Sequence, residues 1–304
     1  MKITVFGGSG FLGSHVCDKL SDAGHEVTNF DIIQSPWLRP DQQEIVGDIL
    51  NIKELQSAVQ GADIVFNFAG IADIGEANGR PVDTVRFNIL GNTNILEACH
   101  LAGIKRYIFA SSVYVYSKSG GFYRCSKQAC ESYIETYKQN YGLEYTILRY
   151  GSLYGPRADE RNAIYRFVNQ ALTDGKISYM GSPTALREYI HVEDAAIASV
   201  EILKPDYANK YIIFTGNQQI QVGKVIRMIG EMLGHSIDIE IVDDLNNSHY
   251  EITPYNFTPR MGKKYVAPLH TDLGQGILQI IELLHKQRHP ELHNIEGIFI
   301  SEEK

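Results

Sequence analysis

The run Lys2-Ile3-Thr4-Val5-Phe6 leads directly into Gly7-Gly8-Ser9-Gly10-Phe11-Leu12-Gly13. Its first part is β-branched and aromatic, which suits a parallel strand buried on both faces. The second part spaces glycines as G-x-x-G-x-x-G. Gly7 permits a tight turn, Gly10 lets a pyrophosphate approach the backbone, and Gly13 lets a following helix lie close to the strand. A helix over 11–23, ended by Gly24, would aim its first N–H groups and its dipole at those phosphates. Alone, such glycines fit any Gly-rich turn of an α/β domain equally well. Their context decides: a strand precedes them, a helix follows, and a second strand over 26–30 ends in Asp31, eighteen residues after Gly13. A carboxylate there accepts hydrogen bonds from an adenosine ribose and repels a 2′-phosphate, so it argues for NAD over NADP. The alternative is a solvated strand-end Asp. Asp48, after Glu44-Ile45-Val46-Gly47, is a candidate adenine contact or a helix N-cap for the stretch from Asn51.

Strands and helices alternate through the first half, with strands expected over 63–68, 105–110 and 144–148 and helices over 81–102 and 123–141. This rhythm predicts a doubly wound parallel sheet, an α/β fold. It breaks after Arg149. Tyr211-Ile212-Ile213-Phe214 reads as a strand returning to the main sheet. Later helices are expected over 222–233 and 272–285, and a strand over 236–242. The expected organisation is a dinucleotide-binding domain over 1–150, with returning segments at about 187–215. A smaller α/β substrate-binding region covers 151–186 and 216–304, with a loose charged end at 301–304.

The 304 residues suffice for a full core, and a formal charge of −8 gives no basis for a nucleic-acid or acidic-membrane partner. None of Cys17, Cys99, Cys125 and Cys130 forms a C-x-x-C pair or a zinc spacing. No metal site is therefore expected, and a reducing, cytoplasmic setting is the simplest one. Met1 leads straight into a strand, leaving no room for a signal peptide. No apolar run approaches the roughly 18 to 20 residues of a membrane span.

The chemistry lies at the end of the fifth strand. Ser111-Ser112 falls where carboxyl ends of strands face the ligand crevice, and Tyr123-Arg124-Cys125-Ser126-Lys127 follows. The i, i+4 spacing puts Tyr123 and Lys127 on one helix face. A phenol is a poor base at neutral pH, but a neighbouring ammonium and an oxidised nicotinamide both favour its phenolate. Tyr123 can then take a proton from a substrate hydroxyl while Ser112 bonds the same oxygen, and Lys127 can also hold the nicotinamide ribose. An amphipathic helix with a surface Tyr and Lys is the alternative; the glycine loop and the serine strand end weigh against it.

These residues resemble the extended short-chain dehydrogenase/reductases, in the NAD-dependent sugar-nucleotide epimerase/dehydratase branch. Gly7-x-x-Gly10-x-x-Gly13 resembles that family's cofactor loop, and Asn67-Phe68-Ala69-Gly70 its Asn/His-x-Ala-Ala/Gly turn. Ser111-Ser112-Val113-Tyr114-Val115-Tyr116 resembles Ser-Ser-x-x-Val-Tyr, which puts the catalytic hydroxyl at Ser112, and Tyr123-x-x-x-Lys127 matches the catalytic pair. Leu148 to Pro156 resembles Leu-Arg-Tyr-x-Asn-x-Tyr-Gly-Pro, and Arg187 to Asp194 resembles Arg-Asp-Phe/Tyr-Ile-His-Val-x-Asp. The resemblance implies a cofactor held by Gly7, Gly10, Phe11, Leu12, Gly13, Asp31, Asp48, Ile49, Phe68, Ala69, Gly70, Asn88, Tyr123, Lys127 and Tyr150. It implies a nucleotide-diphosphate sugar met by Ser112, Tyr123, Ser152, Arg187 and Arg260, with the two arginines on phosphates. The alternative for Arg187 is a surface salt bridge to Glu188 or Glu193. Arg157 and Arg161 receive no role, and His191 is read as structural. By analogy, a homodimer would join through the helices over 81–102 and 123–141.

Departures from the pattern are informative. Ser152 stands where the family has a substrate-contacting Asn, and Ser117 replaces a Gly. Only eleven residues lead from Ser112 to Tyr123, so a loop over the sugar is expected to be missing. The family's dehydratases carry Asp-Glu directly after the catalytic hydroxyl and its decarboxylases a nearby Glu, whereas this chain has Val113 and Tyr114. Dehydration and decarboxylation are disfavoured for that reason. The leading expectation is a 4-epimerase that keeps its NAD. A 4-keto-sugar-nucleotide reductase or dehydrogenase is the alternative within the same chemistry, and a non-catalytic dinucleotide sensor the alternative outside it.

Overall fold

A computed structural model describes residues 1–233, 238–242, 249–252 and 254, all within the compact unit Met1–Thr258. Arg260, the helix expected over 272–285 and the end at 301–304 lie outside the described residues. In chain order the elements are β1 (Lys2–Phe6), α1 (Phe11–Asp22), β2 (Glu26–Asp31), β3 (Gln42–Val46), α2 (Ile52–Val59), β4 (Ile64–Asn67) and α3 (Ile74–Gly79). There follow α4 (Pro81–Thr84), α5 (Gly91–Ala102), β5 (Arg106–Ser112), α6 (Gly121–Tyr141), β6 (Glu144–Tyr150), β7 (Ser152–Tyr154) and α7 (Ala163–Asp174). The rest are β8 (Lys176–Met180), β9 (Leu186–His191), α8 (Val192–Glu201), β10 (Lys210–Phe214), β11 (Gln219–Gln221), α9 (Val222–Leu233) and β12 (Asp238–Val242).

Seven parallel strands form the main sheet in the order β10-β6-β5-β4-β1-β2-β3. The chain leaves β1 toward β3, then crosses back to β4 on the other side, so the switch point lies between β1 and β4, where doubly wound sheets take ligands. Both faces of β1 are buried. Ile3 and Val5 pack with Leu12, Val16, Leu20 and Ala195 on one side. Phe6 packs with Phe30, Leu55, Ile95 and Ile134 on the other. That alternation is the period-2 geometry of a strand between two helical layers. β10 closes the far edge, pairing Tyr211 with Ile147 and Phe214 with Tyr150.

Beyond β6 the expected segments divide. α8 packs in the core on the α1 side, whereas β9 joins a small sheet, β11-β9-β7. A second pair, β12-β8, is parallel and lies beside a core of Phe167, Ile177, Val222 and Ile226. α9 matches the expected helix over 222–233, and the strand expected over 236–242 is described from Asp238.

Two helical features differ from expectation. The helix expected over 81–102 contains a π-helical turn at Val85–Leu90. That wider turn carries Asn88, whose side chain reaches inward to Ile71 and Ser126. The short α3 was not expected at all. Asp73 caps it, its Oδ1 accepting from the Glu76 amide at 2.7 Å, and the Asp-x-x-Glu spacing that marks such a start stands in the sequence.

Candidate active site

The glycine loop is built by contacts that only hydrogen side chains allow. Gly7 has φ +79°, and a Cβ there would lie 2.6 Å from the Ala69 amide nitrogen. A Cβ on Gly13 would press into the carbonyl oxygen of Gly7, so the first turn of α1 sits directly on the loop. Gly10 is different: the protein nearest to its Cβ position is the Gly7 carbonyl oxygen at 3.2 Å. Packing thus explains Gly7 and Gly13 most strongly, while at Gly10 it is less severe, and close approach of a pyrophosphate is the further reason for a glycine. Asp31 ends β2 against this loop. Its Oδ2 accepts from the Ser9 amide at 3.0 Å and its Oδ1 from the Ile32 amide at 2.7 Å. Across the switch point, the Asn67 side chain turns the next strand end: its Oδ1 accepts from the Ala69 amide, and its Nδ2 donates to Asn92 and Tyr107. Phe68, Ala69 and Gly70 (φ +125°) follow.

Asp48 does not cap α2. That role falls to Asn51, which accepts from the Lys53 amide, while Asp48 Oδ1 accepts from the Leu50 amide. Ile49 lies against Gly91, where any larger side chain would collide with it. The side chains of Asn88 and Tyr150 are bonded to neighbouring residues. The Asn88 amide group is bonded to both backbone groups of Ile71 and to Ser126. Tyr150 places its hydroxyl 2.6 Å from the Ser199 hydroxyl, and its carbonyl accepts from Ser112.

The two serines at the end of β5 diverge, as neighbours on a strand must. Ser111 donates to Glu131 at 2.5 Å, inside the core. Ser112 accepts from the Tyr114 amide at 3.3 Å, and its hydroxyl is near enough to Tyr123 to favour the phenolate. Tyr123 is 9% exposed and Lys127 7%. Burial pushes the Tyr123 phenol up to about 12, and the Ser112 hydroxyl opposes that rise. Burial likewise lowers Lys127 from the ordinary ammonium range. Its Nζ donates to the Ala110 carbonyl at 2.7 Å and lies 5.7 Å from the centre of the Tyr123 ring. Phenol, amine and hydroxyl therefore converge at the carboxyl end of β5, one strand from the switch point. The expected lowering of the phenol is not what the structure gives: burial dominates and the phenol is raised. A positive charge next to it, of the kind an oxidised nicotinamide carries, would favour the phenolate.

Glu131 is a further member of the site's frame that the motifs did not single out. It lies one turn beyond Lys127 and grips Arg149 through both oxygens, at 3.0 and 2.6 Å, with both side chains nearly buried. The signal was available in the i+4 spacing from Lys127. On the substrate side, Ser152 begins β7, and Arg187 is buried. The Arg187 guanidinium lies 4.4 Å from the centre of the Tyr250 ring, and its Nη1 donates to the Leu186 carbonyl. His191 caps α8, a structural role as expected. Arg157 pairs with Asp18 at 2.6 Å and stacks on Trp37, and Arg161 grips Asp159. Among the described residues no group of His, Cys, Asp and Glu is arranged to hold a metal, and no helix is long and apolar enough to cross a membrane.

The chain is similar to known proteins. UDP-N-acetyl-alpha-D-glucosaminuronate decarboxylase of Bacillus cytotoxicus is 30% identical over 247 residues, covering 71% of this chain and 75% of that protein. UDP-glucose 4-epimerase of Corynebacterium glutamicum is 27% identical over 273 residues, covering 79% and 83%. The crystal structure of the Thermus thermophilus UDP-glucose 4-epimerase complexed with NAD superposes with a TM-score of 0.76 at 25% identity, covering 85% of this chain and 91% of that one. The family model for NAD dependent epimerases/dehydratases matches residues 3–214, a stretch that runs from β1 through β10 and holds the glycine loop, Asp31, Ser112, Tyr123 and Lys127. With that match, the resemblance drawn from six short motifs becomes a membership: this chain belongs to the NAD-dependent epimerase/dehydratase family, an extended short-chain dehydrogenase/reductase.

Proposed function

We propose that the protein is a 4-epimerase of nucleotide-diphosphate sugars. The observation that carries the reading is the convergence of Ser112, Tyr123 and Lys127 at the carboxyl end of β5, the sheet end at which the glycine loop follows β1, with Val113 and Tyr114 where elimination would need carboxylic groups. Bound NAD supplies a hydride acceptor that becomes the hydride donor, so no cofactor is consumed. Tyr123 Oη takes the proton of the sugar C4 hydroxyl, and Ser112 holds the same oxygen, leaving a transient 4-keto sugar. Lys127 holds the ribose and adds positive charge near the phenol. After the sugar turns over, Tyr123 returns the proton to the other epimer. Asp31 supports retention of NAD, and Arg187 is proposed to meet the diphosphate; Ser152 and Arg260 complete the proposed substrate contacts.

Family relatives act on UDP-sugars by their names, which makes a UDP-sugar the first substrate to test. The Tyr123→Phe variant is expected to lose roughly 10²-fold or more of turnover, the range of a lost acid–base group, while its NAD content after purification stays unchanged. Turnover equal to that of the native protein would refute an enzymatic role for the site. Stoichiometric consumption of cofactor, in place of retention, would move the assignment to a 4-keto-sugar reductase. We also propose a homodimer through α4–α5 and α6, supported by the exposed Val82, Leu101, Phe122 and Tyr133 on those helices, and a cytoplasmic setting, supported by the four free thiols.

A further inference from the structure

A row of side chains links the proposed phosphate anchor to the catalytic phenol. The Arg187 guanidinium stacks on Tyr250 at 4.4 Å, Tyr250 leans on Tyr114 with ring centres 4.6 Å apart, and Tyr114 stands edge-on to Tyr123 at 6.3 Å and 80°. Tyr114 is fixed at both ends. Its amide donates to Ser112 Oγ, and its hydroxyl lies 2.7 Å from Nδ1 of His249, 135 residues further along the chain. Around Tyr123 the packing is apolar, from Ile71, Ile74 and Phe87. The short connection from Ser112 to Tyr123 brings no long loop of its own, so two residues of a remote segment complete this wall.

We propose that Tyr114 is a specificity-determining residue of the sugar subsite, its ring forming the wall on which the hexose lies, with His249 and Tyr250 as positioning residues that hold that ring. The inference rests on the nucleotide-sugar reading above. A sugar whose C4 hydroxyl meets Tyr123 and whose diphosphate meets Arg187 must pass along Tyr114, because that ring fills the row between them. Pyranose rings present C–H faces that pack well on aromatic surfaces. His249 touches Tyr114 through the hydroxyl, so it acts by fixing the wall's orientation, on which a near-attack geometry depends.

The test measures binding of UDP, dTDP and GDP, each with and without its hexose, together with kcat and KM for turnover and NAD content as the check on folding. Tyr114→Ala is expected to weaken binding of the sugar conjugate about tenfold and to leave the free diphosphate within about twofold. His249→Ala is expected to lower kcat about tenfold with little change in KM. His249→Asn, whose amide oxygen can accept from Tyr114, is expected to restore most of that loss, and Tyr114→Phe should match His249→Ala. Equal weakening of diphosphate and conjugate would overturn the wall, since the residues would then act on the phosphate site. Unchanged kinetics in Tyr114→Phe and His249→Ala would overturn the positioning role. A native protein that binds a diphosphate but none of its sugar conjugates would refute the subsite while sparing the phosphate anchor. If it binds neither, the nucleotide-sugar reading itself fails, and this inference with it.

Discussion

At the end of β2, one oxygen of Asp31 holds the Ser9 amide of the glycine loop, and the carboxylate as a whole is proposed to accept from a ribose hydroxyl and to repel a 2′-phosphate. Replacing it with Ala is expected to weaken NAD binding roughly tenfold or more, the scale of a lost charged hydrogen bond, and to narrow the preference over NADP; a fluorescence titration with both cofactors measures each effect. Unaltered selectivity would remove Asp31 from the ribose site. Asp31, the glycines and the Tyr123–Lys127 pair were legible because their chemistry is local: fixed spacings along a strand, a turn and one helix face. Tyr114 and His249 were not, because nothing within either segment announces a partner 135 residues away.

At the scale of elements, α6 is held by more than its apolar stripe. Glu131 joins Ser111 of β5 to Arg149 of β6, and Arg149 in turn lies over the rings of Tyr116 and Tyr211. One buried carboxylate thus ties α6 to β5 and β6 directly and, through Arg149, to β10. Glu131→Ala would strand the Arg149 charge in a poorly solvated place. A destabilisation of about 3–5 kcal/mol is expected, read as a lower midpoint in urea unfolding; a shift under about 1 kcal/mol would show that water reaches the pair. At the start of the same helix, Asn78 of α3 accepts from the Phe122 amide at 3.1 Å. α3 therefore helps seat α6, although its six residues show too little periodicity to be seen from apolar spacing alone. The π turn was hidden for another reason. Helical patterning reports which face is buried, and a single widened turn leaves that pattern nearly intact.

Across the whole molecule, several phenols are raised by burial: Tyr107 and Tyr114 well above the ordinary value, and Tyr123 to about 12. A phenol raised on folding gives stability that is complete below its unfolded value near 10 and is lost as pH climbs through the folded value. Lys127 is lowered instead, so its cost to stability is relieved as pH rises toward the unfolded lysine value, and it adds no loss beyond. Thermal unfolding midpoints are therefore expected to fall steeply above about pH 10, with Tyr107→Phe flattening that fall. A flat profile to about pH 12 would contradict the raised phenols. At this scale the parallel sheet was readable from the βαβ rhythm, and even β10 could be seen as a returning strand from its apolar run. The placement of β9 in a separate small sheet was not readable, because pairing between distant segments leaves no mark on either one.

The late return of β10 also limits how the chain can be divided. A fragment stopped at residue 150 keeps every motif for holding a dinucleotide, yet it loses the strand that shields the β6 edge and the helix α8 that covers Val16 and Leu20 with Ala195 and Ala196. Such a piece would present an open edge and a bare apolar face, the combination that invites strand-to-strand aggregation. Grafting this nucleotide-binding half elsewhere would therefore require carrying residues 192–214 along with it, joined by a new connection.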